Sequence, residues 1–290
     1  MMHSLVTFAG LSIDGITYGM MLFLISVGLT VTLGVMRVVN LAHSAFAMIG
    51  GYFTLWAMQH LNVNFYAALV LGIAGTMLVG ALLERTLYRW VYEANGLGQL
   101  LMTIGLAFII SALFKNLAGP QLQAIPVPES LQGNWTFGAL SVSIYRMFAL
   151  ACSAVVAIGI WLGLERTNFG AKLRAAVDNP RMARCVGINV PVVFSITFAI
   201  GCGLSGLGGA LSSQILPLEP YYALKYLVLV LIVVAAGGLG SLRGSLYAAL
   251  LLALIDTFGR YYLPVAGAFV IYLAVLAILL IRPHGLVGRA

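Results

Sequence analysis

Two residues in this sequence could form a catalytic pair, namely Ser205 and His43. Ser205 lies between glycines in residues 201–206 (GCGLSG), and a serine hydroxyl becomes a nucleophile when a base accepts its proton. His43 is the candidate base because it lies within an apolar segment. The same six letters satisfy the pattern GxGxxG, but a dinucleotide-binding loop must follow a strand, and these letters lie inside an apolar run.

Other patterns that carry chemistry are missing from the sequence. No histidines occur at the H-x-x-x-H or H-E-x-x-H spacing of a zinc site, so we predict no metal and no cofactor. No G-x-x-x-x-G-K-[ST] loop occurs, so the chain cannot use ATP in the P-loop manner. Cys152, Cys185 and Cys202 are odd in number and far apart, and we expect free thiols.

The composition is that of a membrane protein. Of the 290 residues, 62% are hydrophobic and 8% are charged, against roughly 25% charged in soluble domains. Since a bilayer span needs about 20 apolar residues, the chain has room for roughly eight or nine spans and for no soluble domain. We therefore predict an all-α polytopic membrane helix bundle, one transmembrane domain over 1–290, with some helices broken or re-entrant.

Nine apolar segments are the predicted spans, and they cover residues 13–35, 40–58, 66–83, 97–114, 144–164, 191–214, 225–239, 245–262 and 265–281. The stretch 116–143 is rich in Pro and Gly and is predicted to be a surface loop, either a plain connector or a face for a soluble partner. Small residues four positions apart let helices approach closely in lipid. Such pairs are Gly15/Gly19, Ala47/Gly51, Gly159/Gly163, Ser205/Gly209 and Gly240/Gly244.

The basic residues predict an orientation. Most of the 15 Lys and Arg residues fall on one side of these spans, namely Arg37, Arg85, Arg89, Arg166, Lys172, Arg174, Arg181, Arg184, Arg243, Arg282 and Arg289. Lys115, Arg146, Lys225 and Arg260 fall on the other side. The positive-inside rule places the first group and the C-terminus in the cytoplasm and the N-terminus outside. Because the net charge of +7 is spread over many short loops, we predict no nucleic-acid partner.

The longest charge-dense polar segment is 165–190 (ERTNFGAKLRAAVDNPRMARCVGINV). Its middle predicts a short helix from about Asn179 to Val186. Asp178 or Asn179 can cap it, Pro180 suits the first helical position, and Gly187 supplies the left-handed residue that ends it. A capped basic helix on a cytoplasmic loop is suited to binding a partner protein.

Two further sites are candidates for lining a translocation pathway. Asn40, His43 and Ser44 open the second span, with Asn40 as a plausible N-cap, and a helix N-terminus near mid-membrane suits a carboxylate. An ordinary helix start explains them equally well. Gly237, Gly238, Gly240 and Gly244 lie around Arg243 and either expose backbone groups to a cavity or form a tight turn. Asp256 with Arg260 at i,i+4 is interpreted as a structural pair.

Two families resemble parts of this sequence. Residues 203–206 resemble the GxSG site of rhomboid intramembrane proteases, although those enzymes place their histidine on a span after the serine. Three stretches, 28–52, 174–189 and 235–246, resemble the LivH-type permeases of ABC importers for branched-chain amino acids. This second resemblance covers essentially the whole chain.

The LivH-type resemblance implies a multi-pass subunit of the bacterial cytoplasmic (inner) membrane without an active site of its own. It implies as partners a second, related permease subunit, two cytoplasmic ABC ATPases, an external solute-binding protein and a small-molecule substrate. Ala175, Ala176 and Gly187 resemble the element that binds the ATPase, with Arg174 in place of its acidic residue. The predicted contacts are Ala175, Ala176, Asp178, Asn179, Pro180, Arg181, Met182, Arg184 and Gly187.

The alternatives to a branched-chain or related neutral amino acid importer are three. Related permeases carry urea, short amides, or aromatic and other organic acids, and no residue here discriminates among these substrates. A secondary carrier or channel is the second alternative, against which the scarcity of intramembrane charge argues. An intramembrane serine protease using Ser205 is the third.

Overall fold

The structure, a computed structural model, describes residues 2–36, 40–88, 90, 95–138 and 140–287. Its helices in chain order are α1 (Met2–Met36), α2 (His43–His60), α3 (Phe65–Leu83), α4 (Gly96–Ala118), α5 (Ile144–Arg166), α6 (Asn168–Asp178), α7 (Pro180–Cys185), α8 (Val190–Ser212), α9 (Tyr222–Lys225), α10 (Leu227–Gly237), α11 (Leu242–Tyr262) and α12 (Gly267–Ile281). A π-helical turn, Glu84–Tyr88, extends α3. The predicted all-α polytopic bundle is confirmed.

Six helices are long and apolar enough to cross a bilayer in the described part of the chain, namely Leu5–Gly34, Phe65–Tyr88, Gly96–Ala118, Ile144–Arg166, Val190–Ser212 and Leu242–Tyr262. The helices Tyr222–Gly237 and Phe269–Ile281 are apolar but shorter. The predicted span 225–239 is interrupted at Tyr226, so that α10 has 11 residues and a length of about 16 Å. This length is well short of the roughly 30 Å hydrocarbon layer, as expected of a broken helix.

Polar side chains fix where several helices begin. The side-chain oxygens of Asn64, Asn95 and Ser241 accept hydrogen bonds from backbone N–H groups one turn into α3, α4 and α11. These bonds satisfy donors that have no partner within the helix. The first helix departs from its predicted start, because α1 begins at Met2 and not near residue 13.

The core lies where α1, α2, α3, α8 and α11 meet. A Cβ on Gly50 would lie 2.2 Å from the Cα of Gly206, and one on Gly19 would lie 2.9 Å from the Cα of Leu250. Backbones therefore approach as closely as the small-residue pattern predicts. The pair Gly159/Gly163 is an exception, since nothing lies within 4 Å of either position. That prediction of close packing is wrong within the described residues.

Charged residues form ion pairs at both ends of the bundle. At the end that carries α6 and α7, here named the coupling end after the ATPase contact that the sequence predicts there, Glu165 pairs with Arg243 at 2.5 Å. At the opposite end Asp14 pairs with Arg146, and Lys225 pairs with Glu219. The predicted positions of Arg37, Arg89 and Arg289 lie outside the described residues.

The predicted surface loop 116–143 contains more structure than expected. After a 3-10 turn, Glu129–Leu131, strands β1 (Asn134–Phe137) and β2 (Leu140–Ser143) pair antiparallel with Asn134 opposite Ser143. Backbone hydrogen bonds of 2.8 Å in both directions join Gln123 to Leu218. This hairpin was not predicted from the sequence. NWTF and LSVS do alternate polar and apolar residues, but each strand has only four residues and lies in a stretch rich in Pro and Gly, which is typical of a loop.

Candidate functional site: the coupling segment and the buried polar cluster

The segment 165–190, here named the coupling segment, folds into two short helices, of which the sequence predicted only the second. The first, α6, begins at a cap formed by Thr167, whose hydroxyl accepts a hydrogen bond from the N–H of Gly170 at 3.2 Å. Gly170 is required at this turn, since a Cβ there would lie 2.0 Å from the carbonyl oxygen of Leu164. The tight turn reverses the chain directly after α5.

The second helix, α7, has the start and end that were predicted. The side chain of Asn179 accepts a hydrogen bond from the N–H of Met182 at 3.1 Å, and Pro180 takes the first helical position. Gly187 has φ +84°. Its N–H donates to the carbonyl of Arg184, and the N–H of Ile188 donates to that of Ala183, both at 3.0 Å. These two bonds form a Schellman motif, which ends the helix at Cys185, one residue earlier than predicted.

One face of the segment packs inward and the other is exposed. Ala176, Ala183 and Val190 form a small buried cluster with Ile188 and Phe194. The other predicted contact residues, Ala175, Asp178, Asn179, Pro180, Arg181, Met182, Arg184 and Gly187, are all exposed. Ala176 therefore belongs to the buried cluster that holds the segment and not to its exposed surface.

The exposed face of α7 joins apolar and basic groups. Met182 is 62% exposed, and Val186, the C-cap residue directly after α7, is 72% exposed. They are four positions apart, so they lie on about the same side of the segment. Arg181 and Arg184 flank them and are also exposed. An apolar centre with a charged rim is typical of a protein interface. The sequence reasoning did not select Val186, although its i,i+4 relation to Met182 is readable from the sequence.

Two contacts hold the segment to the transmembrane helices. The guanidinium of Arg174 donates to the carbonyl of Leu164, and Glu165 accepts from Arg243 in the first turn of α11. Arg174 therefore contacts the end of α5 in the same chain. With α6 packed against α5, α7 and α8, the segment is attached to several helices at once.

The predicted pathway residues Asn40, His43 and Ser44 are fully buried. The Oδ1 atom of Asn40 accepts hydrogen bonds from the N–H of Ala42 at 3.0 Å and from the hydroxyl of Tyr88 at 2.7 Å. The N-cap of α2 is Ala42 and makes no side-chain cap bond. The prediction that Asn40 caps this helix is therefore wrong. Its side chain instead accepts hydrogen bonds from Ala42, which precedes α2, and from Tyr88 in the turn that extends α3.

His43 and Ser44 differ in how their polar atoms are satisfied. The hydroxyl of Ser44 donates to the carbonyl of Ala223. Neither ring nitrogen of His43 makes a hydrogen bond of ordinary geometry with the described residues, although the carbonyl of Ile25 interacts with the ring. Gly28 permits this position, since a Cβ there would lie 2.6 Å from Cε1 of His43. His43 is therefore a fully buried polar ring next to the helix start, and its role in lining a pathway stays a prediction.

The glycine-rich stretch after α10 is a tight turn. Gly238 and Gly240 have φ of +101° and +78°. The N–H groups of Leu286 and Val287 donate to the carbonyls of Ala236 and Gly237 at 2.8 and 3.3 Å. Of the two interpretations, a tight turn fits these contacts, and a role of Gly237, Gly238 and Gly240 in lining the pathway stays a prediction.

The Ser205/His43 pair is not formed. Ser205 Oγ and both His43 ring nitrogens are buried, and no hydrogen bond joins them in the described structure. A serine nucleophile needs its base within hydrogen-bond reach. The geometry therefore does not support the protease alternative.

Residues 11–281 match the profile of a family described as the permease component of the branched-chain amino acid transport system. The chain belongs to this permease family. The LivH-type resemblance seen in three stretches of sequence is thereby confirmed. Together with the apolar helices, this membership makes the permease a multi-pass membrane protein.

Curated relatives of the permease resemble it along nearly their whole length. The high-affinity branched-chain amino acid transport system permease protein BraD of Pseudomonas aeruginosa is 28% identical, covering 96% of this chain and 94% of BraD. LivH of Escherichia coli K12, described in the same words, is 27% identical with coverage of 95% and 94%. A probable LivH of Methanocaldococcus jannaschii is 25% identical with coverage of 94% and 90%.

A solved structure shares the fold. PsaBC from Streptococcus pneumoniae in complex with Fab matches with a TM-score of 0.50 and 14% sequence identity, covering 94% of this chain and 89% of that one. At this identity the match supports the fold alone.

Proposed function

We propose that this permease is a transmembrane subunit of an ATP-driven ABC importer for branched-chain or related neutral amino acids. The observation that carries the proposal is helix α7, a capped helix with an exposed apolar and basic face that projects from a family permease. The relatives BraD and LivH are named for branched-chain amino acid transport, which supports the substrate class.

The proposed assembly contains two permease subunits, this one and a related partner, together with two cytoplasmic ABC ATPases and an external solute-binding protein. ATP hydrolysis belongs to the ATPase chains, because this sequence has no P-loop. In the proposed orientation the permease lies in a bacterial inner membrane, and its coupling end faces the cytoplasm. Its richness in Arg and Lys supports this orientation.

In this proposal α7 transmits the closure of the ATPases to the membrane helices. The Schellman end and the Asn179 cap keep α7 rigid, and α6 anchors it to α5 and α8. A push on Met182 and Val186 would therefore move the ends of α5 and α8 as one body. A rigid-body tilt of packed helices is one of the known ways to change the side to which a site opens.

The experiment is reconstitution of the permease with its partner subunit, the ATPases and the binding protein in proteoliposomes. With the binding protein and leucine outside the liposomes, we expect leucine uptake to depend on ATP inside them, on the side of the ATPases. Arg181→Glu and Arg184→Glu should each lower uptake about tenfold, within the range of ordinary coupling energies. Lys115→Glu, an exposed charge reversal at the opposite end, is the control and should leave uptake unchanged.

Two results would contradict the proposal in different ways. Leucine uptake that continues without ATP would indicate a secondary carrier or channel. ATP-dependent uptake that is unaffected in the Arg181 and Arg184 variants would remove α7 from the coupling contact while leaving the importer assignment intact.

A further inference from the structure

A cavity of about 610 Å³ lies at the end of the bundle opposite to the coupling segment. Its wall includes residues of α1, α5, α10 and α11. The volume falls within the roughly 300–1,000 Å³ that is usual for small-molecule sites. None of the residues in the coupling segment contributes to it.

Asp256 lies on the wall of this cavity and is only 3% exposed. Its Oδ2 atom accepts a hydrogen bond from Nε of Arg260 at 2.9 Å. Its Oδ1 atom is buried and has no hydrogen-bond partner among the described residues. A buried carboxylate with one oxygen left without a donor is unfavourable, so the Asp256 carboxylate is suited to a further cationic donor, such as the ammonium group of a ligand in the cavity.

The cations around the cavity are each held by one carboxylate. Arg146 pairs with Asp14, and Lys225 pairs with Glu219 at 2.5 Å, while Arg260 pairs with Asp256. These three pairs add up to no net charge. Arg260 uses Nε for Asp256, and a guanidinium carries further N–H donors that bind a carboxylate. A ligand that carries both charges and no net charge matches this arrangement.

The rest of the wall is apolar or aromatic. Ile215, Leu216 and Leu229 contribute aliphatic side chains, and Tyr18 and Tyr226 contribute rings. Leu216 and Tyr226 are nearly buried. An aliphatic ligand side chain placed on this wall would be removed from water, which favours binding.

We propose that this cavity is a binding site of the permease itself for a zwitterionic α-amino acid with an aliphatic side chain. The ammonium group binds the carboxylate of Asp256, the ligand carboxylate lies near the free donors of Arg260 and Arg146, and the ligand side chain contacts Leu216 and Leu229. This inference rests on the proposed function, in which the cavity faces outward. A phosphatidylethanolamine headgroup also carries an ammonium and an anionic group, and the experiment below separates the two sources.

The experiment measures protection of a cysteine in the cavity. Thr257, on the cavity wall, is replaced by Cys, and the complex in proteoliposomes reacts with a membrane-impermeant maleimide without binding protein. The parent chain with Cys152, Cys185 and Cys202 gives the background. Leucine should slow labelling of Thr257→Cys in a saturable manner, by about fivefold or more at high occupancy. 4-Methylpentanoate lacks the ammonium, 3-methylbutylamine lacks the carboxylate, and neither should protect.

Two variants sharpen the result. Asp256→Asn, which keeps the shape but removes the charge, should abolish protection by leucine while the labelling rate without leucine stays similar. Glu129→Cys, at an exposed position of the outer segment, is a control whose labelling should not respond to leucine. Liposomes of phosphatidylcholine alone and of phosphatidylcholine with phosphatidylethanolamine show whether the lipid headgroup occupies the cavity.

Three results would overturn the proposal. They are labelling that ignores leucine in complexes that take leucine up, equal protection by 4-methylpentanoate, and protection by phosphatidylethanolamine in place of leucine. A complex that takes up no leucine at all would contradict the proposed function, which the uptake assay reports separately from the labelling.

Discussion

Oε1 of Glu165, at the end of α5, accepts a hydrogen bond from Nη2 of Arg243 in the first turn of α11 at 2.5 Å. The two residues are 78 positions apart in the chain, and the bond joins the coupling segment to the helix that follows the glycine-rich turn. Among the described residues, this ion pair links the end of α5 to the start of α11.

The Glu165–Arg243 pair should matter more for transport than for stability. Both side chains are partly exposed, so we expect Glu165→Gln or Arg243→Gln to lower the free energy of unfolding by no more than about 1 kcal/mol. Uptake per ATP hydrolysed should fall several-fold, because the segment loses its link to α11. A double-mutant cycle checks this prediction. Additive effects of the two changes on uptake would show that the pair does not act as a unit.

The cap of α7 gives a second prediction. Asn179→Ala removes the acceptor for the N–H of Met182 and should destabilise α7 by about 1 kcal/mol, whereas Asn179→Asp keeps an acceptor there. Hydrogen exchange at the amides of Met182 and Ala183 should be faster in the Ala variant, and uptake should fall with it. If Asn179→Asp behaved like Asn179→Ala in both measurements, capping would not be the reason.

The close approach of α8 and α2 gives a third prediction. A Cβ on Gly209 would lie 2.0 Å from the backbone oxygen of Ala47, and backbone cannot move aside as a flexible side chain can. Gly209→Ala should therefore lower stability by about 1–3 kcal/mol or more. Thermal unfolding in detergent measures this change.

Gly159→Ala is the matched control for Gly209→Ala. Nothing lies within 4 Å of a Cβ at Gly159, and Ala favours helix over Gly by roughly 1 kcal/mol. We expect the melting temperature of this variant to stay the same or rise. Equal destabilisation by both substitutions would contradict the close packing of Gly209.

His43 allows stability and transport to be separated. Its ring nitrogens lack ordinary hydrogen bonds among the described residues, and replacing a buried unpaired polar group by an apolar one of similar shape is often neutral or stabilising. His43→Leu should therefore keep or raise the melting temperature. If His43 lines the pathway, uptake should fall about tenfold; normal uptake with retained stability would assign the residue to the core alone.

Much of the fold was predictable because it follows from runs of apolar residues. The helices over 96–118, 144–166 and 190–212 agree with the predicted spans within a few residues. The start of α1 was wrong because hydropathy finds the part of a helix that suits lipid, whereas hydrogen bonding continues the helix beyond it. The amphipathic helix α6 was missed because the stronger local signal was the cap at Asn179.

The candidate sites divide in the same way. The start and end of α7 were predictable, since Asn179, Pro180 and Gly187 act on their immediate neighbours. The role of Asn40 was not, because its side chain accepts from Tyr88, 48 positions away. Likewise, no local pattern indicated that Asp256, Arg146 and Lys225 meet at one cavity.

The length of α1 has a consequence for the membrane around the protein. At 1.5 Å per residue its 35 residues extend about 52 Å, and the part from Asp14 to Met36 extends about 34 Å, close to the hydrocarbon thickness of about 30 Å. The turns before Asp14 extend the helix beyond this length, and Leu5 and Phe8 on these turns are exposed. A thinner bilayer would tilt this helix, and any tilt would shift Gly15 against Leu254 of α11, so bilayer thickness acts directly on the packing of the bundle.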